Sequence, residues 1–129
     1  MEYIFENADI VRDYECDLQG IVNNANYQHY LEHSRHLYIA ERGLSFADMH
    51  AAGIDVVVAR FTISYKTPLR PGDRYVCRLR PEKDRVRYVF HQAIFRQADG
   101  QLCVKAQVDC VATQGGRLVA GLPELDALL

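Results

Sequence analysis

The run Asp17-Leu18-Gln19-Gly20-Ile21-Val22-Asn23-Asn24-Ala25-Asn26-Tyr27 sets one carboxylate just ahead of a cluster of asparagines. Asn23, Asn24 and Asn26 are good helix caps, because a short amide side chain accepts from the free N–H groups of a first turn. Those N–H groups, backed by the helix dipole, favour negative charge. In acyl transfer such charge develops on the carbonyl oxygen. A carboxylate beside a helix start can attack that carbonyl or activate a water against it. Gly20 lets backbone approach backbone or substrate closely. A thiolate leaves readily near neutral pH, so a thioester needs no proton donor for its leaving group. One carboxylate plus one oxyanion donor is then a sufficient minimal catalyst. Spacing alone equally allows Asp17 to be a loop or capping aspartate.

Other reactive groups support weaker readings. His29, His33 and His36 share a helix face at metal-compatible spacing with Glu32 adjacent. No cysteine or second carboxylate cluster joins them, so a polar or interface face is expected and no metal site. Ser34 lacks the glycine pattern of a nucleophile elbow. Cys16 has no flanking base and reads as a packed loop cysteine. Cys77 and Cys110 lie on apolar stripes as small hydrophobes. With Cys103 the four cysteines form no CxxC pair and no zinc spacing, which suits a reducing cytoplasm. Arg60, Lys66, Arg70 and Arg87 have the chemistry to hold phosphates; a solvated sheet face is the plainer account of each.

The elements that must position these groups are legible in the patterning. Tyr3 to Val11 reads as a strand and Asp13 to Asn26 as a structured loop. A helix is predicted from about Tyr27 to Arg42, with Tyr27, Tyr30, Leu31, Ser34, Leu37 and Tyr38 on one face and Gly43 as its stop. A short helical turn at Phe46 to Ala52 follows, closed by Gly53. The remainder is β. Val57 to Tyr65 alternates with its odd positions inward. Pro68 and Pro71-Gly72-Asp73 make a turn. Tyr75, Cys77 and Leu79 alternate with arginines, Arg85 to Arg96 forms a further strand, and Ala98-Asp99-Gly100 signals a hairpin. Leu102 to Thr113 alternates over the longest stretch and stops at Gly115-Gly116. One strand, a long helix and four tightly linked strands give an α+β layer with an antiparallel sheet. The outer sheet face also carries Val58, Val76 and Val89, so part of it is expected to serve self-association.

The chain has 129 residues, which suits a single domain over 1–129, with 49% hydrophobic and 25% charged residues and a net charge near −2. Nothing global points to nucleic acid or to an anionic membrane. Met1 to Val11 is too polar for a secretory signal and no apolar run approaches a membrane span, so a cytoplasmic location is expected.

The Asp17–Tyr27 run, continued by Tyr30, Leu31 and Glu32, resembles the hot-dog thioesterases of the 4-hydroxybenzoyl-CoA thioesterase type. It is also similar to the HVNN-x-x-Y segment of acyl-carrier-protein thioesterases. Phe61-Thr62-Ile63-Ser64-Tyr65 with Pro68 and Gly72-Asp73 resembles the family's second strand and following turn. The resemblance implies an antiparallel sheet wrapped around the long helix. It implies hydrolysis of acyl-CoA or acyl-carrier-protein thioesters by a homodimer or homotetramer with sites at the subunit interface. No cofactor is implied, CoA being part of the substrate. Asp17 matches the family's catalytic aspartate, as nucleophile or general base, and the Asn24 N–H its oxyanion donor. Gly20, Val22, Asn23, Tyr27 and Glu32 match positions that shape the pocket, with Arg60 and Lys66 as candidates for the CoA tail. Gln19 and Ile21 stand where carrier-protein thioesterases carry Asn and His, so Asp17 would act with fewer helpers. Glu32 or Glu41 would replace it if the carboxylate lay on the helix, as in another branch. A hot-dog dehydratase and a non-catalytic acyl-thioester-binding protein are the rival readings.

Overall fold

The computed structural model describes all residues from Met1 to Leu129. Its strands are β1 (Phe5–Ile10), β2 (Ile54–Tyr65), β3 (Arg74–Asp84), β4 (Arg87–Arg96), β5 (Leu102–Gln114) and β6 (Arg117–Val119). They form one antiparallel sheet in the order β1-β3-β4-β5-β2, with β6 on β5. The helices are α1 (Asn24–Glu41), α2 (Phe46–Ala51) and α3 (Pro123–Asp126). This is the hot-dog arrangement, a curled sheet around one long helix.

β5 shows how the alternation builds the core. Val104, Ala106, Val108, Cys110 and Ala112 are all buried toward the helix. Around them lie two apolar groups. One gathers Tyr38, Ile39, Leu79, Phe90 and Val108 toward the C-terminal end of α1. The other gathers Val22, Tyr27, Tyr30, Leu31 and Leu69 around its start. The α1 start is thus fixed by packing on its inner face while its outer face stays exposed.

Four features differ from expectation. α1 begins at Asn24 rather than near Tyr27, because Asn23 caps it. In β2 the inward positions change from even (Ile54, Val56) to odd (Phe61, Ile63), because a bulge between Val58 and Arg60 inserts one residue against β5. Val57, expected inward, is therefore exposed. The chain also continues past Gly115-Gly116 into β6 and α3. There Leu122, Leu125 and Leu128 close one end of the core, and the Tyr38 hydroxyl donates to the Leu128 carbonyl. Of the outer-face valines, Val58 is half exposed, but Val89 is covered within the chain.

Candidate active site

The chain between β1 and α1 is a miniature hairpin. A helical turn at Asp13–Glu15 leads to Cys16, which pairs with Val22 in an isolated antiparallel bridge. Asp17 N–H donates to the Ile21 carbonyl at 2.9 Å, and Gly20 N–H donates to the Asp17 carbonyl at 3.0 Å. The loop between is three residues long, and Gly20 at φ +74° supplies the left-handed residue that such a loop needs. Asp17 stabilises the same turn through its side chain, because Oδ1 accepts the Gln19 N–H at 2.9 Å. Oδ2 has no protein partner, and no cation lies within ion-pair distance of the carboxylate. Asp17 is half buried. One oxygen fixes the side chain and the other is free to react.

The hairpin runs straight into the helix. Asn23 N–H donates to the Glu15 carbonyl at 3.0 Å, Ala25 N–H to Asn23 Oδ1 at 2.9 Å, and Asn26 N–H to the Asn23 carbonyl at 2.8 Å. These bonds leave the Asn24 N–H without a protein acceptor. No acidic residue lies in the first turn of α1 to neutralise its positive end. The free amide and the free carboxylate oxygen therefore belong to one short, tied segment.

Two residues that sequence reading did not assign to the site do the tying. Glu15 accepts through its carbonyl from both Asn23 N–H and Asn26 Nδ2, the latter at 2.7 Å, and through Oε1 from the Tyr30 hydroxyl at 2.8 Å. Burial and the neighbouring Glu15 carboxylate push the Tyr30 hydroxyl far above its ordinary pKa, so it stays a donor. Leu69 is the second. It donates its N–H to the Tyr27 hydroxyl at 3.0 Å and accepts from Val22 N–H at 2.9 Å. Nothing in the sequence signals these backbone roles; Asn26 was legible only as a cap.

Gly20, Val22, Asn23, Asn24 and Tyr27 thus cluster with Asp17. Val22 and Tyr27 are buried in the core beneath it, and the Tyr27 ring lies 5.7 Å from that of Tyr65. That contact brings the neighbouring Lys66 to this end of the molecule. Glu32 lies apart, roughly 12 Å along α1 at the helical rise, exposed and 3.7 Å from His36. Arg60 lies midway up β2, opposite Asp109. His29 and His33 are exposed on the same helix. Asp17 is half buried and Asn24 is exposed.

Residues 11–126 match the model of the thioesterase-like superfamily. The chain is 35% identical over 98 residues to an acyl-acyl carrier protein thioesterase of Arabidopsis thaliana (ATL2, chloroplastic), a match covering 75% of this chain and 52% of that protein. The chain thus spans about half the length of this plant relative. It is 35% identical over 97 residues to the putative acyl-CoA thioesterase YneP of Bacillus subtilis, covering 74% of this chain and 70% of the relative. The fold superposes on Slr0204, a 1,4-dihydroxy-2-naphthoyl-CoA thioesterase from Synechocystis, with TM-score 0.89 and 16% identity over 96% of this chain and 93% of that one. No helix is long and apolar enough to cross a membrane.

Proposed function

Because the chain belongs to the thioesterase-like superfamily, we propose that it hydrolyses an acyl thioester, with Asp17 as the reacting carboxylate and the Asn24 N–H as oxyanion donor. The observation that carries this reading is the pairing of a free Asp17 Oδ2 with an unpartnered Asn24 N–H on one hydrogen-bonded segment. The substrate carbonyl oxygen would accept from Asn24 N–H, and the positive end of α1 would offset the charge that grows there. Oδ2 would then either attack the carbonyl carbon or take a proton from the attacking water. The thiolate departs without a general acid.

The substrate class is an acyl group on CoA or on an acyl carrier protein, the two carriers named for the relatives above. Gly20, Val22, Asn23 and Tyr27 would shape the floor of the site, with Lys66 at the same end for the carrier's phosphates, whereas Arg60, midway along β2, and Glu32, two turns along α1, lie away from it in the single chain. With Asp17 half buried and Asn24 exposed on the single chain, a second copy would close the pocket, in a homodimer or homotetramer.

The test is thiol release from a panel of acyl-CoA and acyl-carrier-protein thioesters, with Asp17→Asn alongside wild type. Wild type should turn over at least one chain length, and Asp17→Asn should fall by a factor of about 10² or more. Equal rates would remove Asp17 from the mechanism. Binding without release by any substrate would make the protein an acyl-thioester binder, and release of water from a β-hydroxyacyl substrate would make it a dehydratase.

A further inference from the structure

Arg60, Lys66, Arg70 and Arg87 all have the chemistry to hold phosphates, and the structure divides them. Arg87 donates to Asp109 at 2.8 Å, and Arg60 stands opposite Asp109 in register and adds its charge to the same carboxylate. Lys66 and Arg70 are exposed. No carboxylate of the chain lies within ion-pair distance of either side chain. Their charges are uncommitted.

The backbone between them is fastened from several elements. Lys66 N–H and Thr67 N–H donate to the Cys103 carbonyl at 2.8 Å and 3.3 Å. Arg96 Nη1 donates to the Pro68 carbonyl at 3.3 Å. The Leu69 side chain is fully buried, and its carbonyl accepts the Val22 N–H at 2.9 Å. Arg70 N–H donates to Asp73 Oδ2 at 2.8 Å. No one of these bonds decides the position of the loop. Its main chain is fixed before an anion arrives, which removes part of the ordering cost of binding.

Val22 pairs with Cys16, the residue before Asp17, so the loop lies beside the hairpin that carries the reacting carboxylate. Neither cation reaches ion-pair distance of Asp17 itself. Both are therefore placed for a part of the substrate other than the thioester. CoA carries a diphosphate and a 3′-phosphate beyond its pantetheine arm. The arm of a carrier protein ends in one phosphodiester at that protein's surface. Separate Lys and Arg cations on one loop match the former, since Arg suits a forked contact and Lys a point charge.

We propose that Lys66 and Arg70 bind the phosphates of CoA and make the CoA thioester the substrate in preference to the carrier-protein thioester. The proposal rests on the thioesterase reading above.

Steady-state thiol release tests it, with one acyl group presented on CoA, on pantetheine and on an acyl carrier protein. In wild type the KM for the CoA ester should lie at least about tenfold below that for the pantetheine ester, at equal kcat. An exposed ion pair is worth up to about fivefold in affinity, so Lys66→Gln and Arg70→Gln should each raise the KM for the CoA ester about three- to fivefold, and the double variant about tenfold. The pantetheine ester should be unaffected. Arg42→Gln, an exposed cation at the far end of α1, should behave as wild type does. Titration calorimetry with CoA alone separates this proposal from the hydrolysis. Wild type and Asp17→Asn should bind CoA alike, and the double variant about tenfold more weakly, whether or not an ester turns over. CoA binding of this pattern without thiol release from any ester would remove the hydrolysis and keep the CoA site. Equal KM for CoA and pantetheine esters in wild type, an unchanged KM in the double variant, a loss shared by the pantetheine ester, or a higher kcat/KM for the carrier-protein thioester would overturn it.

Discussion

The Asn26 carboxamide donates to the Glu15 carbonyl oxygen across 2.7 Å, bridging eleven residues and fastening the first turn of α1 to the stem of the Asp17 hairpin. The same carbonyl takes the Asn23 N–H at 3.0 Å. A single acceptor thus sets the helix start, where Asn24 offers its amide, against the loop that holds Asp17.

Replacing Asn26 by Ala or Asp removes the donor and leaves hairpin and helix to drift apart. Misplacing reacting groups by about 1 Å costs up to ~10² in rate. The expected result is a kcat lower by about ten- to hundredfold, with KM little changed. Combined with Asp17→Asn, the Asn26 substitution should cost almost nothing further, because the group it positions is gone. Steady-state thiol release from the two single variants and the double variant measures this. Losses that multiply across the pair would show that Asn26 acts on the fold and not through Asp17.

Gly20 sits at φ +74° with nothing within 4 Å of where a Cβ would stand. Space is therefore no obstacle, and backbone strain alone decides the effect of a side chain. Gly20→Ala should destabilise by about 1 kcal/mol, whereas Gly20→Asn, a residue that tolerates left-handed backbone, should cost less. Urea melts of the two variants rank them. Equal stability of both with wild type would mean that the loop has relaxed out of the left-handed conformation.

Periodicity exposed most of this framework and missed what is specific about it. The apolar alternation of Leu102 to Ala112 marks β5 because every inward side chain there is small or apolar and contradicts nothing. The bulge at Val58/Arg60 was invisible, because a run of Val57, Val58 and Ala59 offers apolar side chains to either face. Asp17 stood out by residue type and by its place ahead of a helix start, and the Asn24 N–H through the resemblance to the thioesterase family. The Glu15 and Leu69 partners did not, since they work through main-chain atoms that every residue possesses. One signal was present and unused. Gln92 interrupts the inward series Tyr88, Phe90, Ile94 of β4, and a polar residue at a core position implies a buried partner, here Arg35.

The Tyr27 hydroxyl accepts the Leu69 N–H at 3.0 Å within the core, and both residues are almost fully buried. Tyr27→Phe strands that N–H without water or acceptor. The cost should be about 1–3 kcal/mol of stability, with KM across the acyl-CoA panel unchanged. Chemical denaturation and steady-state kinetics together decide it. A KM that shifts with acyl length while stability holds would instead place the hydroxyl against substrate.

Asp109 carries the clearest dependence on pH. Burial alone would raise its carboxyl, but hydrogen bonds from Gln107 at 3.1 Å and Arg87 at 2.8 Å, with the charge of Arg60, outweigh that and hold it below the usual aspartate range. A carboxyl held low when folded is more readily protonated when unfolded. Its stabilisation is therefore complete above the ordinary aspartate pKa of about 3.9 and drains away as pH falls through the lower folded value. Arg87 is 41% exposed, so water screens the pair and the stake is on the order of 1 kcal/mol. Asp109→Asn should lose that amount at pH 7, and the gap to wild type should close below about pH 4. Thermal melts of both proteins from pH 7 to pH 3 measure it. A gap that stays constant across the range would mean that the side chain stabilises by packing and not by charge. It would also leave Arg60, opposite Asp109 in register, free of that carboxylate and available to a substrate phosphate.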